Sequence, residues 1–270
     1  MQIAFIGGGV MAEAMIGGIL AKGLTTPDAI IVGEIDEARR NTLFEWHGVH
    51  TTGDNREAIA KADVVILSIK PQSLPEVMAQ LKGRVRDEQL VLSIVAGASI
   101  ATIRSGLDHK SIIRVIPNTP AQIGEGMSVW TTTNEVSEAQ KDMARSFLQV
   151  LGKEKFVADE KSIDMATAVS GSGPAYIFLV IESLIDAAVQ IGMRRDMAQE
   201  LVVQTVIGSG RLAESAGKHL AELRNMVTSP GGTTAEGLYR LEENRVRAAF
   251  AQAVIAGYEK AKGLGGISSK

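Results

Sequence analysis

The chain has 270 residues, 45% of them hydrophobic, a formal net charge of −3 at pH 7 and no cysteine. A large core can therefore form, and the absence of a basic excess argues against a nucleic acid or an anionic membrane as partner. The lack of cysteine excludes disulfides and thiolate metal sites and favours a cytoplasmic location, and the four scattered histidines predict no metal site.

The first half of the chain alternates between short β-rich runs and helical patterns. Strands are predicted at 3–6, 30–32, 64–69, 90–95 and 112–116, with helices at about 10–22, 36–46, 56–61, 73–81 and 99–106. A strand near 127–131, a helix near 137–151 and an edge strand near 155–157 follow. Because the strands are apolar almost throughout, they predict a parallel sheet with helices on both faces.

The strand pattern disappears from about residue 160. Helices are predicted at 164–169, 174–191, 197–215 and 234–262, with breaks at SGSGP and SPGG. Residues 176–181 are apolar on every side of a helix, which predicts burial, and a subunit interface in a homodimer is the expected cover. The apolar run 174–181 is shorter than the ~20 residues that span a bilayer, and the N-terminus does not resemble a signal peptide.

The fold class predicted from these patterns is α/β, with a doubly wound parallel sheet at 1–159 followed by an all-helical domain at 160–270. The first strand runs directly into a G-x-G-x-x-A turn formed by Gly7, Gly8, Gly9, Val10, Met11 and Ala12. Gly7 allows the tight turn, Gly9 lets a pyrophosphate approach the backbone, and Ala12 lets the helix pack closely. An ordinary glycine-rich turn is the alternative, but the position after the first strand favours a Rossmann-type dinucleotide site.

An acidic side chain, Glu34, follows the second strand, where a carboxylate would accept the ribose hydroxyls of NADH and repel the 2′-phosphate of NADPH. Asp36 and Glu37 are the alternative carboxylates. Arg39 and Arg40 lie one turn into the next helix and would favour NADPH if they faced the ribose. The pattern favours NADH, although both cofactors stay open.

Three later strand ends carry further candidates for cofactor or substrate contact. Lys70 precedes Pro71 in SIKPQ, Ala96 lies in the small-residue stretch IVAGAS, and Asn118 stands between two prolines. Carboxyl ends of parallel strands are where ligands bind in such sheets. The alternative for Lys70 is a surface lysine, and for Asn118 a stiff connector.

Several stretches occur in a fixed order between residue 3 and about residue 262: FIGGGVMAEAMIGG, SIKPQ, RVIPNTPA, SGSGPAY and VTSPGGTTAEGL. Together they resemble the motifs of pyrroline-5-carboxylate reductases, and SPGGTT after SGSGPAY is the most specific part. The resemblance implies reduction of L-1-pyrroline-5-carboxylate to L-proline with NADPH or NADH, the last step of proline biosynthesis. It also implies a helical dimerisation domain, with dimers assembled into a decamer.

The resemblance also implies roles for single residues. The 7–12 turn, Asn55, Lys70 and Ala96 match cofactor-contacting positions, whereas Glu34-Ile35 departs from the small polar residue and arginine that favour NADPH in many members. The loop residues Ser229, Gly231, Gly232 and Thr233 match the site that holds the substrate carboxylate. Thr234 matches the threonine that hydrogen-bonds the ring nitrogen, which makes it the candidate catalytic residue.

Two other functions compete with this interpretation. A 3-hydroxyacid dehydrogenase-like enzyme would use a lysine on the long interdomain helix, but the helix predicted at 174–191 contains none. A non-catalytic NAD(P)-binding regulator would keep the 7–12 turn without needing SPGGTT. Considered by its local sequence alone, SPGGTT is an interhelical turn in which a threonine caps the next helix. A helix N-terminus without bulky side chains is also an anion site.

Overall fold

The computed structural model describes residues 1–265 and divides into two compact units. One unit comprises Met1–Ser172 together with the chain from Ala256, and the other comprises Gly173–Ile255. The first contains an eight-stranded sheet, and every element of the second is helical. The α/β sheet followed by an all-helical region, as predicted from the sequence, is confirmed.

The strands are β1 (Ile3–Ile6), β2 (Ile30–Gly33), β3 (His50–Thr52), β4 (Val64–Leu67), β5 (Leu90–Ser93), β6 (Ile112–Ile116), β7 (Gly126–Thr132) and β8 (Gly152–Phe156). The helices up to the end of the sheet unit are α1 (Val10–Ala21), α2 (Glu37–His47), α3 (Asn55–Ile59), α4 (Leu74–Leu81), α5 (Ile100–Leu107), α6 (Glu138–Leu148) and α7 (Glu160–Ala166). The remaining helices are α8 (Gly173–Gln190), α9 (Arg195–Ser215), α10 (Leu220–Met226), α11 (Thr233–Glu243) and α12 (Val246–Gly265).

The sheet has the strand order β3-β2-β1-β4-β5-β6-β7-β8. β1 lies between β2 and β4, with Ile6 opposite Gly33 on one side and Leu67 on the other. The chain therefore builds outward from β1 in both directions, and the carboxyl ends of β1 and β4 form the topological switch point. Ligands of open α/β sheets bind at this point.

Two apolar layers cover the faces of the sheet because successive side chains of a strand point to opposite sides. Phe5 belongs to the layer that contains Met15 of α1 and Phe147 of α6. Its neighbour Ile6 belongs to the opposite layer, with Ile103 of α5. Burial on both faces explains why the central strands show near-continuous apolar runs in the sequence.

Two features of the sheet differ from the sequence-based prediction. β3 was not predicted, since His50–Thr52 is short and has no apolar residue to mark it. β7 pairs antiparallel with β6, so the sheet is mixed and not wholly parallel. Pairing direction depends on how the connection at Thr119–Ile123 turns, which strand composition does not encode.

The helical region also differs in three places. α10 was not predicted, and the helix predicted at 234–262 is broken into α11 and α12 at Arg245, whose φ of 57° is left-handed. No glycine or proline signals that break. The third difference is at SGSGP, where a break was predicted. A π-helical turn, Thr167–Gly171, lies there between α7 and α8, and the Ser172 N–H donates to the Thr167 carbonyl over 2.8 Å.

A buried cation anchors α7 to the sheet. Arg114 of β6 is 4% exposed, and its guanidinium donates to Glu160 Oε1 and to Asp164 Oδ1 at 2.8 Å each. Both carboxylates lie on α7, and Ile163 packs beside them against Ile116. A buried charge that lost these partners would be costly, so the pairs determine where the chain leaves the sheet.

We expect Arg114→Met to lower the free energy of unfolding by about 3 kcal/mol, because two partly buried carboxylates lose their cation. Arg104→Met is the matched control: Arg104 pairs with Glu135 on the surface, and its loss should cost less than about 1 kcal/mol. Urea unfolding at one fixed protein concentration measures both values. Equal small losses would contradict a structural role for Arg114.

Candidate functional site

The glycine turn after β1 is shaped by the strands on either side. Gly7 has a φ of 94°, and its N–H donates to the Gly33 carbonyl of β2 over 2.7 Å. A Cβ at Gly7 would lie 2.8 Å from Ile69 Cγ2 and 2.9 Å from the Ser68 carbonyl oxygen. Both the backbone angle and the lack of space therefore require glycine here.

Ser68 contacts the glycine turn and was not among the residues predicted from the sequence. Its hydroxyl donates to the Gly7 carbonyl over 2.8 Å and lies 3.1 Å from the Ile6 carbonyl. The hydroxyl thus ties the end of β4 to the glycine turn. The signal was present, because a serine between an apolar strand and Lys70 in SIKPQ is a polar group at the carboxyl edge.

Gly9 differs from Gly7 because it is open. It is the N-cap of α1, with an extended backbone (ψ −180°) and no side-chain cap, and a Cβ built on it would meet nothing within 4 Å. Val10 beside it is 59% exposed, whereas Ala12 is fully buried against the sheet. The first turn of α1 therefore presents free N–H groups to open space, as a phosphate site requires.

The carboxylate of Glu34 lies at this turn. Glu34 Oε2 accepts from the Gly8 N–H over 2.8 Å, and Oε1 accepts from the Asp36 N–H over 3.0 Å. Asp36 caps α2 by accepting from the N–H groups of Ala38 and Arg39. Of the three carboxylates considered from the sequence, Glu34 is the one that the chain brings to the glycine turn.

The nearby arginines are engaged within the chain. The Arg39 guanidinium donates to the Gly8 carbonyl and to Glu13 Oε2. Arg40 donates to the backbone carbonyls of Glu34 and Ile35.

At the start of α3, a third arginine pairs with the cap residue of that helix. The side-chain hydrogen bond from Arg56 lowers the pKa of the Asp54 carboxyl to about 2. The Asp54 carboxylate caps α3 and accepts from the Arg56 guanidinium.

Asn55, at the start of α3, is buried. Its Nδ2 donates to Gln80 Oε1 over 3.0 Å. A Cβ added to Gly33 would lie only 2.6 Å from Asn55 Oδ1. Asn55 therefore leaves no room for a side chain at position 33. The structure places Asn55 beside the end of β2, on the same edge as the glycine turn.

The other predicted edge residues fall into two groups. Lys70 and Pro71 follow β4 and are exposed, and Ala96 follows β5 half-buried near Ile116. Asn118 is held at both ends of its amide: Nδ2 donates to the Ser170 carbonyl over 3.1 Å, and Oδ1 accepts from the Met127 N–H over 2.8 Å. The connector interpretation thus accounts for the polar contacts of Asn118.

The SPGGTT loop lies in the helical unit, before α11. Gly231 has a φ of 70°, and the Gly232 N–H donates to the Ser229 carbonyl over 3.0 Å. Gly232 is the N-cap of α11, and no side chain caps the helix, so the cap expected from threonine is wrong. Thr233 and Thr234 instead form the first helical turn, where their N–H groups have no helical acceptor.

Two family models match the chain. One, described as pyrroline-5-carboxylate reductase dimerisation, matches residues 160–264, and the other, NADP oxidoreductase coenzyme F420-dependent, matches residues 2–97. The pyrroline-5-carboxylate reductase of Synechocystis is 41% identical over 98% of this chain and 98% of its own length. The enzyme of that name from Arabidopsis thaliana is 36% identical over 97% of this chain and 95% of its own.

Solved structures agree with the sequence comparisons. A pyrroline-5-carboxylate reductase from Coxiella burnetii superposes with a TM-score of 0.88 at 38% identity, covering 97% of this chain and 98% of its own. The pyrroline carboxylate reductase of Plasmodium falciparum, solved with NADP bound, gives a TM-score of 0.89 at 30% identity, with 98% of each chain covered. The similarity thus extends over both units of the chain.

The two glycines make a matched pair for mutation. We expect Gly7→Ala to destabilise the fold by about 1–3 kcal/mol, since its φ is left-handed and its space is filled. Gly9→Ala should lower stability by less than about 1 kcal/mol, because its Cβ meets nothing and only the N-cap preference for glycine is lost, but should weaken NAD(P)H binding about tenfold or more. Thermal unfolding and fluorescence titration separate the two effects. Unchanged binding by Gly9→Ala would contradict phosphate approach at this turn.

Proposed function

The chain belongs to the pyrroline-5-carboxylate reductase family, and from this premise we propose how its residues share the reduction of L-1-pyrroline-5-carboxylate to L-proline. The protein is an NAD(P)H-dependent oxidoreductase that acts on a cyclic imine. The observation that carries the residue assignment is the uncapped start of α11 at Gly232-Thr233-Thr234. It supports an anion site in the same loop that the family resemblance assigns to the substrate.

We assign the cofactor to the carboxyl edge of β1, β2 and β4. The open backbone at Gly9 and the free N–H groups of the first turn of α1 fit a pyrophosphate, and Glu34 fits a ribose. When bound, the reduced nicotinamide supplies the hydride that the imine carbon accepts. Further contacts of this edge are assigned to positions around the turn: Gly7, Gly8, Val10, Met11, Ala12, Asn55, Lys70, Pro71 and Ala96.

Asn118 contributes in another way in this proposal. Because both ends of its amide are bonded within the chain, it positions the backbone after β6 and does not offer its amide to a ligand. Its partner Ser170 lies in SGSGP, so one side chain links two motifs of the family. The π-helical turn at Thr167–Gly171 lies at this link, and such turns are frequent at functional sites.

We assign the substrate carboxylate to the loop around Ser229, Gly231, Gly232 and Thr233. The N–H groups at a helix start attract an anion, and two glycines leave room for it. Thr234, half-buried one residue into α11, is assigned to the ring nitrogen, where its hydroxyl holds the nitrogen as charge shifts. A protonated imine is already electrophilic, so these residues mainly orient it.

We place the boundary between the cofactor domain and the substrate and dimerisation domain at 159/160. The start of the dimerisation match at residue 160 supports this boundary. The compact sheet unit extends to Ser172 because Arg114 anchors α7 on it. In this proposal α7 belongs by sequence to the second domain and is anchored on the first.

The chain forms a homo-oligomer, and we propose a dimer built on α8, with dimers assembled into a decamer in the cytoplasm. By length and composition alone, Glu160–Gln190 would also suffice to cross a membrane. The dimerisation match covers this segment, which supports a partner chain and not a bilayer as its cover. Within the single chain, Phe178 and Leu179 of α8 are 60% and 62% exposed, an apolar surface that association would bury. No nucleic acid is assigned as a partner.

We expect the wild-type protein to oxidise NAD(P)H in the presence of pyrroline-5-carboxylate and to form proline. Thr234→Ala should lower kcat/KM about tenfold to a hundredfold, which corresponds to roughly 1.4–2.7 kcal/mol. Thr234→Ser keeps the hydroxyl and should retain most of the activity. An unchanged kcat/KM for Thr234→Ala would remove Thr234 from the mechanism, and no proline from the wild type would refute the function.

Two exposed phenylalanines test the assembly. Phe178→Asp should dissociate the oligomer because it buries a charge in the proposed interface. Phe44→Asp, on α2 of the sheet unit and 61% exposed, should leave the oligomer intact. Sedimentation velocity measures both, and a Phe178→Asp protein of wild-type mass would contradict an interface on α8.

A further inference from the structure

We propose that this enzyme selects NADH over NADPH and that Glu34 is the residue that determines this selectivity. The inference rests on the proposed function only in placing the adenosine ribose at the end of β2. It goes further by assigning one of the two cofactors that the family uses. Two features of the chain support it: the position of one carboxylate and the partners of the cations around it.

The Glu34 carboxylate is held in place from two sides. Its two oxygens accept from the N–H groups of Gly8, in the glycine turn, and of Asp36, at the start of α2. A charge-assisted hydrogen bond to a backbone N–H is strong, so moving the side chain away from these two groups requires free energy. The negative charge therefore sits between the turn that takes the pyrophosphate and the end of β2, where the ribose lies.

The two other carboxylates of this segment are not alternatives. Asp36 accepts from two N–H groups of α2 as its cap. Glu37 is exposed in the first turn of α2, and no bond directs it to the glycine turn within the described chain. Glu34 is thus the one that can accept hydrogen bonds from the 2′- and 3′-hydroxyls of a ribose.

The cations near the end of β2 already have partners within the chain. Arg39 binds the Gly8 carbonyl and Glu13, Arg40 binds the carbonyls of Glu34 and Ile35, and Arg56 pairs with Asp54. Lys70 follows β4, which lies two strand spacings, roughly 10 Å, from the end of β2. Ile35, the residue after Glu34, is 84% exposed and uncharged.

A 2′-phosphate would therefore meet a fixed carboxylate. The guanidiniums of Arg39 and Arg56 are already paired with carboxylates, and that of Arg40 is held through Nη1 by two backbone carbonyls. The phosphate charge repels Glu34, and the phosphate oxygens cannot donate the hydrogen bonds that ribose hydroxyls donate. Binding it requires Glu34 to leave two N–H groups or a guanidinium to reorient toward the phosphate. NADH needs neither rearrangement.

The test is direct titration of NADH and of NADPH, without substrate, followed by protein fluorescence and calorimetry. We expect the wild type to bind NADH at least about tenfold more tightly than NADPH. Glu34→Gln keeps an acceptor for the Gly8 N–H but removes the charge, so it should narrow this ratio several-fold. Glu34→Ser combined with Ile35→Arg should invert it, since the new guanidinium extends from an exposed position.

Glu37→Gln is the matched control, because it removes a carboxylate three residues away, and it should leave the ratio unchanged. Equal or tighter binding of NADPH by the wild type would overturn the proposal, as would a ratio that Glu34→Gln does not move. Proline formation with NADPH preferred would refute the selectivity and leave the function standing. NADH binding without proline formation would refute the function and leave the selectivity standing.

Discussion

The candidate cofactor site depends on the close packing around Gly7. β1 is bonded on both sides, and the chain turns out of it while its Gly7 N–H is bonded to Gly33 of β2 and its carbonyl is bonded to Ser68 after β4. A side chain at this point would collide with Ile69. Three strands therefore determine the path of the turn, and that path points the start of α1 toward open space.

The side chains around this turn serve the fold as well as the site. Glu34 accepts from the glycine turn, Asn55 packs on Gly33, and Asn118 links the end of β6 to Ser170. Each is a polar group whose unpaired burial would be costly, and each finds its partner within the chain. A cofactor bound at this proposed site would therefore meet a surface that is already organised, which reduces the ordering that binding requires.

The helical unit has a different character. α8 exposes large apolar side chains in the isolated chain, whereas the sheet unit buries its own on both faces. The sheet unit accordingly holds its core without a partner, while α8 needs one to remove its apolar surface from water. The dimerisation match to residues 160–264 explains this difference. Assembly and the SPGGTT loop thus belong to the same part of the chain.

The sequence by itself determined the central strands, the glycine turn and the SPGGTT break, because hydrophobic periodicity and glycine patterns report local backbone and burial. The family followed from the resemblance of several ordered motifs to those of known reductases. The sequence did not reveal β3, whose three residues carry no apolar pattern, or the break at Arg245, which no glycine or proline marks. It also left three carboxylates open after β2 and two roles open for Asn118. Only the tertiary structure selected Glu34, which meets Gly8 across 26 residues of chain, and gave Asn118 its partner 52 residues away. Such contacts depend on how strands are placed side by side, and no local pattern encodes that placement.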